Sequence, residues 1–209
     1  MIKILIADDH AIVREGLKQI VAQETDMRVE GEAATVDDLL RLLERESWSV
    51  LVLDINMPGR SGLDALKEIK QRFPNVPVLI LSIYGEEQYG LMAFKEGADG
   101  YLHKVSAPEE LINAIRKIVN GGKYVSPALA EKLADSFYGQ KPQMPHELLS
   151  MREHQVLCMI AEGKSAERIA NELSISIHTV YSYRNRILQK LHLKSNVELT
   201  KYVMENKLI

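Results

Sequence analysis

The sequence predicts an α/β domain built on a doubly wound parallel sheet, followed by a small all-α domain of four helices. Three observations predict it. Five short runs rich in Val, Ile and Leu recur in the first 120 residues, each followed by an amphipathic stretch. Beyond residue 147 only helical periodicity remains. The charge changes sign as well: residues 1–125 carry 15 basic and 20 acidic side chains, whereas residues 148–209 carry nine and six.

The apolar runs are 2–7, 29–34, 50–55, 76–81 and 100–102. They are short and do not alternate with polar residues, as expected of parallel strands buried on both faces; 29–34 is the weakest. Helical patterns follow near 11–24, 36–46, 62–72, 86–97 and 107–120. Thr35 with Asp38, and Ser106 with Pro108 and Glu109, have the spacing of helix starts. Gly97 and the pair Gly121–Gly122 fit helix ends, where a left-handed residue is needed. Five strand–helix units in sequence make a doubly wound sheet.

After residue 121 the pattern changes. A helix is expected over 126–137, with Pro127 at its start and apolar residues at 129, 133 and 137. Residues 138–147 contain Gly139, Pro142 and Pro145 without a period and read as a linker. Ser150 and Glu153 form a capping box for a helix that stops at Gly163. Ser165 caps a short helix ending near Leu173, Ser176 caps one running to about Leu191, and a fourth begins near Asn196. The domains are thus 1–122, a connection 123–147, and 148–209.

Composition excludes several classes. The chain has 209 residues, 46% hydrophobic and 26% charged, and no apolar run near the roughly 18 residues of a membrane span. Residues 1–9 read as a strand ending in two acids, not as a signal peptide. The single cysteine, Cys158, lies in an apolar helical stripe and reads as core; a cytoplasmic location is expected.

In an open parallel sheet, ligands bind beyond the carboxyl ends of the strands. Asp8 and Asp9 end the first predicted strand, Asp54 the third, Ser82 the fourth and Lys104 the fifth. Single acids at strand ends are ordinarily solvated caps, but five polar residues on four strands form a set. Converging carboxylates repel unless a cation joins them, and oxygen donors with room for water suit Mg²⁺. A lysine and a hydroxyl could then hold a phosphoryl group on one carboxylate. His10 reads as a cap or packing residue, since hard Mg²⁺ favours oxygen.

Residues 4–10 (ILIADDH), 54–62 (DINMPGRSG), 81–82 (LS) and 100–104 (GYLHK) resemble, at matched spacing over 1–122, the receiver domains of response regulators. The resemblance implies the flavodoxin-like strand order 2-1-3-4-5. It implies that Asp54 is phosphorylated by a partner histidine kinase. Asp9, Asp54 and the carbonyl of Asn56 would bind Mg²⁺, with Asp8 assisting. Ser82 and Lys104 would contact the phosphoryl group, and Tyr101 would move inward on activation. Val105 stands where many receivers have proline, which puts a cis peptide there in doubt. Ile83 and Tyr84, bulkier than the usual residue after the hydroxyl, are expected to slow hydrolysis of the acyl phosphate.

On a helix over 176–191, Val180, Ile187 and Leu191 share one face, while His178, Tyr181, Ser182, Asn185 and Gln189 point the other way. No acid occurs between Leu173 and Val197, but Arg184, Arg186, Lys190 and Lys194 do. Such a face suits base edges, with flanking cations for phosphates. The short helix and turn before it complete a helix-turn-helix spacing.

Residues 149–153 (LSMRE), 161–165 (AEGKS), Ile169–Ala170, Thr179–Val180 and Lys190–Leu191 resemble the four-helix domain of LuxR-type regulators, over 148–203. With a receiver in front, the whole resembles the NarL/FixJ type of two-component response regulator. This implies that 180–190 enters the major groove of double-stranded DNA. Tyr181, Ser182 and Asn185 would face bases; Thr179, Tyr183, Arg186, Lys190 and Lys194 would contact the backbone. The implied protein is a bacterial transcription regulator, not a turnover enzyme, acting as a homodimer with RNA polymerase as a further partner. Two other readings stay open: a phosphohydrolase with Asp54 as nucleophile, disfavoured because Asn56 stands where a second acid is wanted, and a phosphorylation-independent DNA-binding regulator.

Overall fold

In the computed structural model, which describes residues 1–57, 62–137, 144–206 and 208–209, the chain forms two compact units, Met1–Ala134 and Asp135–Ile209. Residues 58–61 of the third-strand motif and 138–143 of the expected linker lie outside the described residues.

The first unit alternates strands and helices: β1 (Ile2–Ala7), α1 (Ala11–Val21), β2 (Met27–Ala33), α2 (Val36–Arg45), β3 (Val50–Asp54), α3 (Gly62–Arg72), β4 (Val78–Ser82), α4 (Glu86–Lys95), β5 (Gly100–His103) and α5 (Ala107–Val119). The start of α6 (Pro127–Phe137) completes it. The sheet is parallel with order β2-β1-β3-β4-β5. β3 and β4 are buried along their whole length, which explains their unbroken apolar runs. β2 lies at the edge and alternates buried and accessible residues, so its run is the weakest in the sequence.

Alternation along the strands gives the sheet two apolar faces. On one, Ile4, Ile6, Val50, Val52, Leu79 and Leu81 join Leu17 and Val21 of α1 and Leu111, Ile115 and Ile118 of α5 in a single core. Leu5, Leu51, Leu53 and Ile80 point the other way and are equally buried.

Helix ends follow local chemistry. Thr35 caps α2 by accepting from Asp38 N–H. Gly97 and Gly121 take φ of 98° and 82° at helix C-termini. Ser106 departs from expectation. The chain leaves β5 through a 3₁₀ turn, Lys104–Ser106, that runs straight into α5, so Ser106 has helical dihedrals and its hydroxyl caps nothing. An N-cap requires extended backbone, which that turn removes.

The second unit contains α7 (Met151–Ala161), α8 (Ala166–Glu172), α9 (Ile177–Leu191) and α10 (Asn196–Glu205), preceded by a 3₁₀ turn, Pro145–Leu148. Each helix starts at a serine, Ser150, Ser165, Ser176 or Ser195, whose hydroxyl accepts an N–H three residues on. Ser150 and Glu153 complete a full capping box. Leu149, Val156, Leu157, Ile169, Val180, Ile187, Leu199 and Val203 pack as one core. The α8–α9 turn closes by Ile175 N–H donating to Ala170 O at 2.9 Å, with Ser174 at φ 52°. That is the Schellman arrangement, with serine where glycine is usual.

Candidate functional site

Because β1, β3, β4 and β5 are parallel neighbours, their carboxyl ends open at one edge of the sheet. Register sets Asp54 beside Leu81 and Ser82 beside His103. Asp8, Asp54 and Ser82 are each no more than 1% exposed. Lys104 reaches in from the turn after β5. Its Nζ lies 2.7 Å from Asp54 Oδ2 and 2.7 Å from Asp8 Oδ2. The other Asp54 oxygen accepts from Asn56 N–H at 3.0 Å. Asp8 Oδ1 accepts from His10 N–H at 2.8 Å.

The electrostatics are those of two buried anions sharing one cation. Burial pushes the Asp54 carboxyl above the ordinary carboxylate value, against the pull of the Lys104 ammonium and the Asn56 N–H. Burial also works against the Lys104 ammonium, but Asp54 and Asp8 outweigh it and hold its pKa above that of a free lysine.

Ligand atoms of Asp8, Asp9, His10 and Asp54 all lie within 4.8 Å of one another. Asp8 Oδ2 and Asp9 Oδ1 are buried without a hydrogen-bond partner, although Lys104 and His10 nitrogens stand close to them as ion contacts. Buried carboxylate oxygens of this kind, in an oxygen-rich set, fit a hard divalent cation. The expectation for His10 needs correction. Its ring is neither packed nor capping; the side chain is 61% exposed, with Nδ1 2.8 Å from Asp9 Oδ1 and 3.3 Å from Asp8 Oδ1.

Ser82 Oγ accepts from Tyr84 N–H at 3.0 Å. Tyr101, expected to travel inward, is already inside: it is buried, and its hydroxyl donates to Tyr84 O at 2.9 Å. Burial raises its pKa. The Tyr84 ring packs on the buried Tyr89, with centroids 4.8 Å apart, while Ile83 is exposed. No cis peptide occurs among the described residues, Lys104–Val105 included.

Two contributors escaped the sequence reading. Arg14 donates to the Asp8 carbonyl at 2.7 Å and pairs with Glu32, bracing the end of β1. Gly62 sits so close to β3 that a Cβ would collide with the Ile55 backbone and the Asp54 carbonyl oxygen. The glycine lay within the motif, but only packing reveals its task; nothing local marks Arg14.

In the second unit α9 buries Val180, Ile187 and Leu191. His178, Tyr181, Asn185, Arg186 and Gln189 are exposed, with Ser182 half-buried among them; Lys194 is exposed beyond the helix end. The Ser182 hydroxyl donates to His178 O at 3.0 Å, which leaves its oxygen free to accept. Thr179 shares a 2.7 Å hydroxyl contact with the Ser176 cap, and Tyr183 leans on the core. Lys190 has partners within the protein. Its ammonium donates to Glu153 Oε2 at 2.7 Å and to Leu148 O at 3.1 Å, joining α9 to the capping box of α7. The Lys190 side chain nonetheless stays 38% exposed. Burial opposes ionisation of Glu153, but Lys190 and the Ser150 N–H hold its pKa below the ordinary value. Cys158 is buried and its thiol is pushed up to about 12, which makes it a packing residue.

Among the described residues, no helix is long and apolar enough to cross a membrane. Residues 4–116 match the response regulator receiver domain, and residues 147–203 match the bacterial regulatory proteins of the luxR family. Oxygen regulatory protein NreC of Staphylococcus carnosus is 37% identical over 99% of both chains. Response regulator UvrY of Escherichia coli is 34% identical, covering 96% of this chain and 92% of its own. Among solved structures, RcsB of Salmonella enterica serovar Typhimurium, bound to promoter P1flhDC with the phosphomimetic BeF₃⁻, superposes with a TM-score of 0.67 at 28% identity over 97% of this chain and 98% of that one. With the receiver fold, the acidic strand-end pocket and the helix-turn-helix in place, the chain belongs to the two-component response regulators of the NarL/FixJ type, with a LuxR-type DNA-binding domain.

Proposed function

We propose that Asp54 accepts a phosphoryl group from the phosphohistidine of a partner kinase, and that this controls dimerisation and promoter binding. The observation that carries the reading is the buried Lys104–Asp54–Asp8 cluster at the sheet edge, where one ammonium serves two carboxylates. An Asp54 carboxylate oxygen bonds to phosphorus as the phosphorus–nitrogen bond of the donor breaks, and the imidazole leaves with the electron pair. Lys104 then turns to a phosphoryl oxygen, and the Ser82 hydroxyl donates to another. Asp9, Asp54 and the Asn56 carbonyl would hold Mg²⁺, with Asp8 directly or through water; bound there, the ion neutralises phosphoryl charge. The protein acts as a switch, not as a turnover enzyme.

Residues 1–122 serve as the receiver, 123–147 as the connection and 148–209 as the DNA-binding domain. The exposed face of α9 supports Tyr181, Ser182 and Asn185 as base readers, with Thr179, Tyr183, Arg186 and Lys194 on the backbone of double-stranded DNA. One small domain makes few phosphate contacts, so two copies on half-sites roughly one helical turn apart supply specificity. RcsB bound to promoter DNA supports this mode by analogy. Bound at a promoter in the bacterial cytoplasm, the dimer meets RNA polymerase.

Footprinting across the source genome, with and without acetyl phosphate, tests the reading. Wild type should bind its operators more tightly with the phosphodonor and Asp54→Ala should not. Operator binding indifferent to both would defeat it.

A further inference from the structure

We infer that residues 124–129 form a latch, docked on β5 and α4, that opens when Asp54 is phosphorylated; this rests on the phosphoryl-acceptor reading above. β5 is an edge strand, and its outer backbone groups need partners. Tyr124 supplies them. Its N–H donates to Asp99 O at 2.9 Å, and its carbonyl accepts from Tyr101 N–H at 3.2 Å, a single parallel bridge opposite Gly100. Ser126 N–H donates to Glu86 Oε1 at 3.0 Å, on the first residue of α4. Ser126 Oγ accepts from Leu129 N–H at 3.1 Å, starting α6. Leu129 is 2% exposed and fills a notch that exists because residue 90 is glycine: a Cβ there would lie 2.6 Å from Leu129 Cδ2.

The seat is connected to the pocket. Ser82 Oγ accepts from Tyr84 N–H, Tyr84 O accepts from the Tyr101 hydroxyl, and Tyr101 N–H donates to Tyr124 O. Along this route three hydrogen bonds join the hydroxyl that meets the phosphoryl group to the segment leading to α6, and the Tyr101 hydroxyl also bonds the Ser82 side chain directly. When Ser82 Oγ swings to the phosphoryl oxygen it leaves Tyr84 N–H, two residues before α4 begins. Both remaining anchors, Glu86 and the Gly90 notch, ride on α4 and move with it. A half-open cavity of about 420 Å³ borders the seat, with Glu86, Tyr101, His103, Tyr124, Ser126 and Pro127 among its lining residues. A few hydrogen bonds, one buried leucine and an adjoining cavity make an element with two discrete positions, docked and free. Undocking lengthens the connection to the C-terminal unit.

Hydrogen exchange on the full chain with Mg²⁺, with and without beryllofluoride, tests this. The amides of Tyr124, Ser126 and Leu129 should exchange about tenfold faster with beryllofluoride, as a local opening would produce. Glu86→Ala and Leu129→Ala should exchange fast at those amides without it, while segment 80–86 still responds. If 80–86 responds but 124–129 keeps its protection, the latch is overturned and the phosphoryl-acceptor reading stands. If beryllofluoride leaves both segments unchanged and does not bind, that reading falls and the latch falls with it.

Discussion

Lys104 Nζ donates to Asp54 Oδ2 at 2.7 Å across the mouth of the sheet, and the same ammonium stands equally close to Asp8. The pocket thus holds one positive and two negative charges, with both carboxylates buried. Removing the cation should cost more than removing either anion. Lys104→Ala leaves two facing carboxylates without a partner, and urea unfolding of the receiver in metal-free buffer should show a loss of roughly 3 kcal/mol or more. Asp54→Asn relieves the repulsion and should leave stability unchanged or raised. Equal losses for the two variants would contradict this charge balance.

The Lys190–Glu153 pair makes a prediction about DNA. An ammonium that keeps its Glu153 partner when the protein is on DNA contributes no counterion release, so Lys190→Ala should leave the salt dependence of operator binding unchanged. Arg186→Ala should flatten the slope of log affinity against log salt by about one phosphate contact, near 0.9. Titrations between low and physiological salt distinguish them. Lys190→Ala should instead destabilise α7 by about 1 kcal/mol, since it strips support from a capping box.

His154 is buried, and its burial lowers the pKa to about 4. The unfolded imidazole titrates near 6.5, so between those values the unfolded state binds the extra proton. Stability of the C-terminal unit is full above pH 6.5 and should fall by roughly 3 kcal/mol as pH drops towards 4. Trapping of the buried Cys158 thiol by a dithiodipyridine reagent reports the opening. His154→Leu should remove most of this acid sensitivity. A variant as acid-labile as wild type would place the cause elsewhere.

Ser174 adopts φ 52° in the α8–α9 turn. A side chain in the left-handed region costs roughly 1–2 kcal/mol, which glycine avoids. Ser174→Gly should raise the stability of this unit by about 1 kcal/mol, measured by denaturant titration, without altering the α9 face.

The strands were legible because burial on both faces writes unbroken apolar runs, and the edge strand β2 was faint for the converse reason. The serine caps of the C-terminal helices were legible too, since their chemistry lies within four residues. What escaped depends on distance in space. Lys190 meets Glu153 across 37 residues of chain, so its inward turn leaves no local mark. Ser106 has a cap's spacing but not its backbone, because the 3₁₀ turn from Lys104 overrides the pattern. Tyr124 and Leu129 lie in a stretch with no strand period, and only the folded edge of β5 and the bare Gly90 show what they do.

The central claim is that Asp54 carries phosphate. Incubation with ³²P-labelled acetyl phosphate and Mg²⁺ tests it most directly. Wild type should take up label that hydroxylamine releases, as an acyl phosphate requires, and Asp54→Asn should take up none. Equal labelling of the two proteins, or none in wild type, would contradict it.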